Sequence, residues 1–193
     1  VVVNPLFTAA LELAQFLTKQ QWRFCFIGGL AVIRWGEPRM TQDVDLALLT
    51  GFGSEKKFIH DLLQSFKPRV EKPAEFAIRN RVLLLSASND VGIDLSLAGL
   101  PFEEQMIERS TEHEFAPGCL IRTCSAEDLI VLKAFAARDK DWMDIKGIVL
   151  GHKPRLDRAY IFRELTPLVE LKEQPEILNK LEGIFDNTPT EVT

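Results

Sequence analysis

Three carboxylates and a glycine pair are the residues of this chain whose types and spacing suggest chemistry. Gly28-Gly29 follows a short apolar, aromatic run, Asp43-Val44-Asp45 opens a second apolar run, and Asp94 sits inside a third, Gly92-Ile93-Asp94-Leu95. On a β-strand successive side chains alternate faces, so Asp43 and Asp45 share one face while Val44, Leu46 and Leu48 take the other. Two carboxylates on one face repel each other, and ionising both is costly without a cation. Mg²⁺ supplies such a cation, because it prefers carboxylate and phosphate oxygens. Asp94 repeats the pattern, with Ile93, Leu95 and Leu97 on its buried side. If its strand neighbours that of Asp43 and Asp45, the three acids converge. Such a set suits two-metal phosphoryl transfer, in which one ion orients a triphosphate and the other activates an attacking hydroxyl. Asp94 is then the base on the metal side. The glycines let backbone N–H groups approach phosphates with no Cβ in the way. Each piece alone has a plainer reading: D-x-D as surface or turn acids, Gly-Gly as a turn, and Asp94 as a buried acid paired with arginine.

The elements that must position these residues follow from periodicity and punctuation. Asn4-Pro5 caps and starts a helix carrying Leu6, Ala10, Leu13 and Leu17. Residues 22–27 read as a buried strand that ends in a tight turn at the glycine pair, and 30–35 as a short helix stopped near Gly36 and Pro38. Residues 44–49 form the next strand, and Ser54 caps a helix bearing Phe58, Leu62 and Phe66. Residues 69–70 and 76–78 read as edge strands with Pro73 between them. Residues 82–87 and 91–98 form a strand pair around Ser88-Asn89-Asp90. A helix over 101–109 and a hairpin through Pro117-Gly118 follow. Ser125-Ala126-Glu127-Asp128 resembles a capping box for a helix reaching residue 137. Further helices are expected over 141–150, 154–169 and 175–185. This order predicts an α/β (α+β) chain, a mixed β-sheet flanked by helices with a C-terminal helical extension. The expected division is a catalytic domain over residues 1–124, a helical part over 125–185, and a polar, disordered tail over 186–193.

Composition narrows the partners. Of 193 residues, 46% are hydrophobic and 26% charged, which argues for a folded, globular chain. The formal net charge of −5 argues against a broad nucleic-acid surface, so any polynucleotide partner must meet a local basic patch. Cys25, Cys119 and Cys124 lack zinc-type spacing and suit a reducing cytoplasm. No apolar run is long enough for a membrane span, and no signal peptide is evident.

The motifs resemble a known family. Ile27-Gly28-Gly29-Leu30-Ala31, followed by Pro38-Arg39-Met40-Thr41-Gln42-Asp43-Val44-Asp45-Leu46, is similar to the polymerase-β-like nucleotidyltransferase superfamily. It most resembles the AbiEii-type toxin, or minimal nucleotidyltransferase, branch, with its glycine pair followed by R-x-T-x-D-[IV]-D-L. The resemblance covers residues 22–98 well and continues more weakly to about residue 150. It implies the nucleotidyltransferase fold and transfer of a nucleotidyl group from an NTP, with Mg²⁺ or Mn²⁺, to a tRNA or other RNA, a protein or a small molecule. It makes Asp43, Asp45 and Asp94 metal ligands and catalytic acids, and Gly28 and Gly29 the phosphate loop. Many superfamily members carry serine at the position of Gly29, so a hydroxyl contact to phosphate is lost here. Leu129-Ile130-Val131-Leu132-Lys133-Ala134 resembles a helix whose lysine contacts phosphate. Arg138-Asp139-Lys140-Asp141-Trp142-Met143-Asp144-Ile145 resembles the segment that follows it. Lys133 and Asp144 thereby become nucleotide-binding candidates. An antitoxin partner is implied if the chain is a toxin.

Other residues keep two readings. On its own, Lys133 shares a face with Leu129, Ala136 and Ala137 and reads as snorkelling to water. Asp144 pairs with Lys140 across one helical turn or serves the nucleotide. Arg39 holds its loop through an acid or binds phosphate. Arg79 and Arg81, if on a strand, share a face and form either a basic patch or a solvated edge. His60, His113 and His152 are scattered, and none is assigned to metal. Beside the active enzyme stands a second class, a non-catalytic nucleotide- or partner-binding, antitoxin-like module on the same fold. A sugar-nucleotide enzyme using D-x-D ranks below both, because it leaves the glycine pair without a role.

Overall fold

A computed structural model of the chain describes residues 4–189. Residues 190–193 of the expected tail lie outside the described residues, while residues 186 and 187 belong to the last helix. The described residues divide into two units, 4–30 with 40–124 and 31–39 with 125–189.

In the first unit, helix α1 (Pro5–Lys19) starts at Asn4, whose side chain accepts the Leu6 N–H at 3.0 Å. Such a cap stabilises a helix by about 1 kcal/mol. Leu6, Ala9, Ala10, Leu13 and Leu17 form its buried stripe. Strand β1 (Phe24–Phe26) leads into α2 (Gly28–Trp35), of which Gly28–Leu30 belong to this unit and Ala31–Trp35 to the second. The glycine pair is therefore the first turn of a helix, not a separate tight turn before one. Strand β2 (Asp43–Leu49) is followed by α3 (Glu55–Ser65), the two-residue strand β3 (Lys67–Pro68) and α4 (Pro73–Asn80). Strands β4 (Val82–Ser86) and β5 (Gly92–Ala98), helix α5 (Pro101–Arg109) and the hairpin β6 (Thr111–Ala116) and β7 (Cys119–Thr123) complete the unit.

Residues 76–78, expected as an edge strand, are helical in α4, and the strand expected at 69–70 lies instead at residues 67–68. A short apolar run does not distinguish strand from helix by periodicity, and Pro73 at the first helical position is the start signal that decides it.

The strands form one mixed sheet in the order β3-β4-β5-β2-β1-β7-β6. Strand β2 runs parallel to β5 and antiparallel to β1. Parallel neighbours need a crossover, and α3, β3, α4 and β4 supply it before β4 turns back onto β5. Phe26, Leu46, Leu48, Leu83, Leu85, Ile93 and Leu95 are fully buried and, with Leu13 and Leu17 of α1, make the core that fixes β2 and β5.

The second unit holds α6 (Ala126–Ala136), α7 (Asp139–His152), a 3₁₀ turn (Lys153–Arg155), α8 (Arg158–Lys172) and α9 (Glu176–Asn187). Helix α6 is buried nearly all round, as a central helix must be, with α7, α8 and α9 packed against it. Ser125 caps it through the Asp128 N–H at 3.1 Å. The fully buried Asp128 carboxylate accepts from Ser125 Oγ at 2.8 Å and Tyr160 Oη at 2.7 Å. Cys25, Cys119 and Cys124 are buried and form no disulfide with one another. Among the described residues no helix is long and apolar enough to cross a membrane.

Candidate active site

Asp43 and Asp45 lie at the start of β2, Asp94 near the start of β5. The parallel register sets Asp45 directly beside Asp94 and Asp43 beside Gly92. Adjacent strands are about 4.8 Å apart, so residues far apart in the chain present acids on one sheet face. Their neighbours Val44, Leu46, Ile93 and Leu95 are fully buried on the other face, which locks the orientation. A one-residue slip would drive the carboxylates into the core.

Arg69, which the sequence reading left without a role, lies on this face. Its Nη2 pairs with Asp94 Oδ1 and also donates to the Ile93 carbonyl at 3.3 Å, while its Nη1 lies 3.8 Å from Asp43 Oδ1. Of the plainer expectation for Asp94, a buried acid paired with arginine, the arginine partner is present, but the carboxylate is 38% exposed. Among the described residues no group of three or more His, Cys, Asp or Glu is drawn together as a metal cage. The donor chemistry still fits a hard divalent cation, being carboxylate oxygen throughout.

The glycine pair closes on the same acids. The Gly29 N–H donates to Asp45 Oδ2 at 3.2 Å. Gly28 has φ +56°, and a Cβ built there overlaps the Asp45 carboxylate. A Cβ on Gly29 overlaps the Thr41 hydroxyl, which donates to the Asp43 carbonyl at 3.3 Å. Gly92 has the same property toward Asp43: its missing side chain is the space the Asp43 carboxylate occupies, and Arg69 Nη1 lies 3.0 Å from the Cβ position. Gly28→Ala is therefore expected to combine backbone strain of about 1 kcal/mol or more with displacement of Asp45. Gly92→Ala is expected to push Asp43 aside with little change in backbone strain. Both variants should stay folded and lose activity by about tenfold or more, since small misplacements of reacting groups are costly. Circular dichroism beside a transfer assay checks this, and full activity of Gly92→Ala would show that the Asp43 position does not matter.

The other two candidates, Lys133 and Asp144, belong to the second unit. Lys133 is buried on α6, and its Nζ lies 3.2 Å from Asp141 Oδ1 and 2.7 Å from Asp144 Oδ2 on α7. It neither snorkels nor stands alone. Asp144 does not pair with Lys140; Arg39 grips it from the loop after α2, Nε to Oδ1 at 2.8 Å and Nη2 to Oδ2 at 3.1 Å. This is the loop-holding role for Arg39. Asp141 also takes Arg138 Nε at 2.6 Å. Burial pushes the Asp144 carboxyl up, but the hydrogen bonds and charges of Arg39 and Lys133 outweigh it, and the net shift is downward. Asp141 follows the same balance, with Arg138 and Lys133 as its partners.

A carboxyl held below its unfolded value near 3.9 contributes stability that is complete above that value and lost as pH falls through the folded one. Thermal melts from pH 6 to pH 3 should therefore show wild-type stability dropping below about pH 4. Asp144→Asn should flatten that drop, and an unchanged pH profile would exclude Asp144 as its source.

Arg79 and Arg81 share no strand face. Arg79 is on α4, and Arg81 ends that helix in the left-handed region (φ 54°), pairing with Glu55 at 2.7 Å and donating to the Gly51 carbonyl at 3.2 Å. The hydrogen bond from Arg81 holds the Glu55 carboxyl below its ordinary value. Trp142, Ile145 and Val149 of α7 are buried.

The family model for the nucleotidyl transferase AbiEii toxin, type IV toxin–antitoxin system, matches residues 13–159. None of the curated proteins compared with the chain matches it. Three solved structures share the fold. An antigenic nucleotidyltransferase-like protein from Paracoccidioides brasiliensis is 20% identical, with 92% of each chain covered and a TM-score of 0.51. The solution structure of the antibiotic-resistance factor ANT(2'')-Ia is 15% identical, covering 92% of this chain and 96% of its own, with a TM-score of 0.53. The lincosamide antibiotic adenylyltransferase LnuA, lincomycin-bound, is 15% identical, covering 73% of this chain and 94% of its own, with a TM-score of 0.50.

Proposed function

We propose a catalytic reading for this chain, which belongs to the AbiEii nucleotidyl transferase toxin family of type IV toxin–antitoxin systems and is thus a nucleotidyltransferase. In this reading it moves a nucleotidyl group from an NTP to a hydroxyl of an RNA, protein or small-molecule acceptor. Asp43, Asp45 and Asp94 hold Mg²⁺ or Mn²⁺, with the residues over 1–124 as the catalytic part and those over 125–185 as its helical companion. The observation that carries the reading is the β2–β5 register, which sets Asp94 beside Asp45 on a face whose reverse is sealed core.

The bound ion would supply positive charge to the triphosphate and acidity to the acceptor hydroxyl. The chain's own residues do the rest. Asp94 takes the proton of the acceptor hydroxyl as its oxygen bonds to the α-phosphorus and pyrophosphate leaves. Gly28 and Gly29 form the first turn of α2, where the helix N-terminus favours the phosphates, while their missing Cβ atoms leave room for Asp45 and Thr41 beneath it. Lys133 and Asp144 enter as nucleotide-binding residues on the resemblance alone; what their geometry supports is an ion-pair network holding α7 and the Arg39 loop. The family supports an antitoxin as partner, and the three buried thiols suit a reducing cytoplasm.

The test is transfer of label from each NTP, with Mg²⁺, to total RNA or to lysate proteins. Transfer by wild type and not by Asp43→Ala or Asp45→Ala supports the enzyme. NTP binding without transfer to any acceptor would instead support the non-catalytic, antitoxin-like module.

A further inference from the structure

Arg69 pairs with the carboxylates on their face of the sheet, and the catalytic reading does not use it. Its backbone is fixed, since the Arg69 N–H donates to the Leu84 carbonyl at 3.0 Å just beyond β3. Its side chain is about one-third exposed and reaches from that anchor over Gly92 to Asp94 and Asp43, themselves 38% and 47% exposed. The guanidinium therefore lies between two of the three acids assigned to the metal, over the starts of β5 and β2, and is partly exposed. A guanidinium is charged at every accessible pH, so only movement removes it.

We propose that Arg69 is a built-in counter-ion for Asp43 and Asp94 and competes with the divalent cation for them. The proposal rests on the reading of Asp43, Asp45 and Asp94 as metal ligands. A monovalent and a divalent cation within a few ångströms repel each other, and two carboxylates cannot turn the same oxygens to both. Cation entry is thus coupled to release of the guanidinium. Without the cation, Arg69 relieves the repulsion between the acids and keeps their strands in register. Gly92 belongs to the device, because a side chain there would displace the carboxylate of Asp43 and crowd the guanidinium.

The test is Mn²⁺ binding by the whole chain, read from the electron paramagnetic resonance signal of free Mn²⁺, for wild type, Arg69→Gln, Arg69→Lys and Asp45→Asn. Arg69→Gln should bind Mn²⁺ about tenfold more tightly than wild type, the size expected for losing one like charge nearby. Arg69→Lys keeps the charge and should stay within about twofold of wild type. A merely structural arginine would move melting temperature but not this charge-dependent affinity. The proposal is overturned if wild type binds Mn²⁺ through Asp45 yet Arg69→Gln binds no more tightly. If Arg69→Gln does not fold, an Arg69→Lys affinity well above wild type overturns it equally. Should neither wild type nor Arg69→Gln show binding that Asp45→Asn abolishes, the metal reading fails and takes this inference with it.

Discussion

Asp45→Asn is expected to reduce nucleotidyl transfer by about 10³-fold or more while leaving the fold intact. The substitution keeps size and shape, and the asparagine oxygen can still accept the Gly29 N–H that Asp45 Oδ2 accepts at 3.2 Å. What it removes is one negative charge beside Asp94 in the β2–β5 register. Charge stabilisation by a held metal is worth several kcal/mol, and each 1.36 kcal/mol is a tenfold rate, which sets the size of the loss. The measurement is label transfer at saturating Mg²⁺, with melting temperature as the control. A variant retaining more than a tenth of wild-type activity would show that Asp45 is no metal ligand, whatever its position. Activity regained at high Mn²⁺ would point to weakened binding of the ion.

Lys133→Met should destabilise the second unit by about 3–5 kcal/mol, the usual cost of stripping the partner from buried charge. Methionine matches the length and apolar stem of lysine, so packing on α6 is preserved and the loss reports the ammonium alone. Two carboxylates on α7, at 3.2 Å and 2.7 Å from that ammonium, then face each other with Arg138 and Arg39 as their remaining named partners. For a chain of this size each kcal/mol corresponds to about 2–4 °C in melting temperature, so a fall of roughly 10 °C is expected. Differential scanning calorimetry checks it, and a fall under about 2 °C would mean that the pair is worth no more than a surface salt bridge. A loss of activity in this variant therefore says little about phosphate contact unless stability is measured beside it.

How much of this was legible in the sequence depends on the distance over which each feature is decided. The alternation around Asp43, Asp45 and Asp94 was readable because strand burial is local, and it placed all three on the correct face. Helices α1 and α6 are readable from their caps, and the ranges expected for α5 and α7 fall within two residues of the observed ends. Residues 76–78 are ambiguous in the sequence because three apolar-rich positions fit either period, and only Pro73 at the start of α4 decides for a helix. The glycine pair was taken as a turn because nothing local shows that Gly28 begins a helix with a positive φ. Arg69 was invisible as a site residue because its partners lie across two other strands. Asp144 was offered a neighbour one turn away, Lys140, yet its partners come from α6 and from the loop after α2. Long-range pairing of charges follows from topology, which pattern alone does not supply.

The crossover between β2 and β5 has a consequence for biogenesis. The two halves of the carboxylate set are separated in the chain by two helices and two strands, and contacts of such long range form late and slowly. A nascent polypeptide still emerging before residue 92 carries Asp43 and Asp45 but not the strand that aligns Asp94 with them. On the proposed assignment of the three acids, competence then waits for β5 to pair with β2, and a product cut short before residue 92 is expected to be inert.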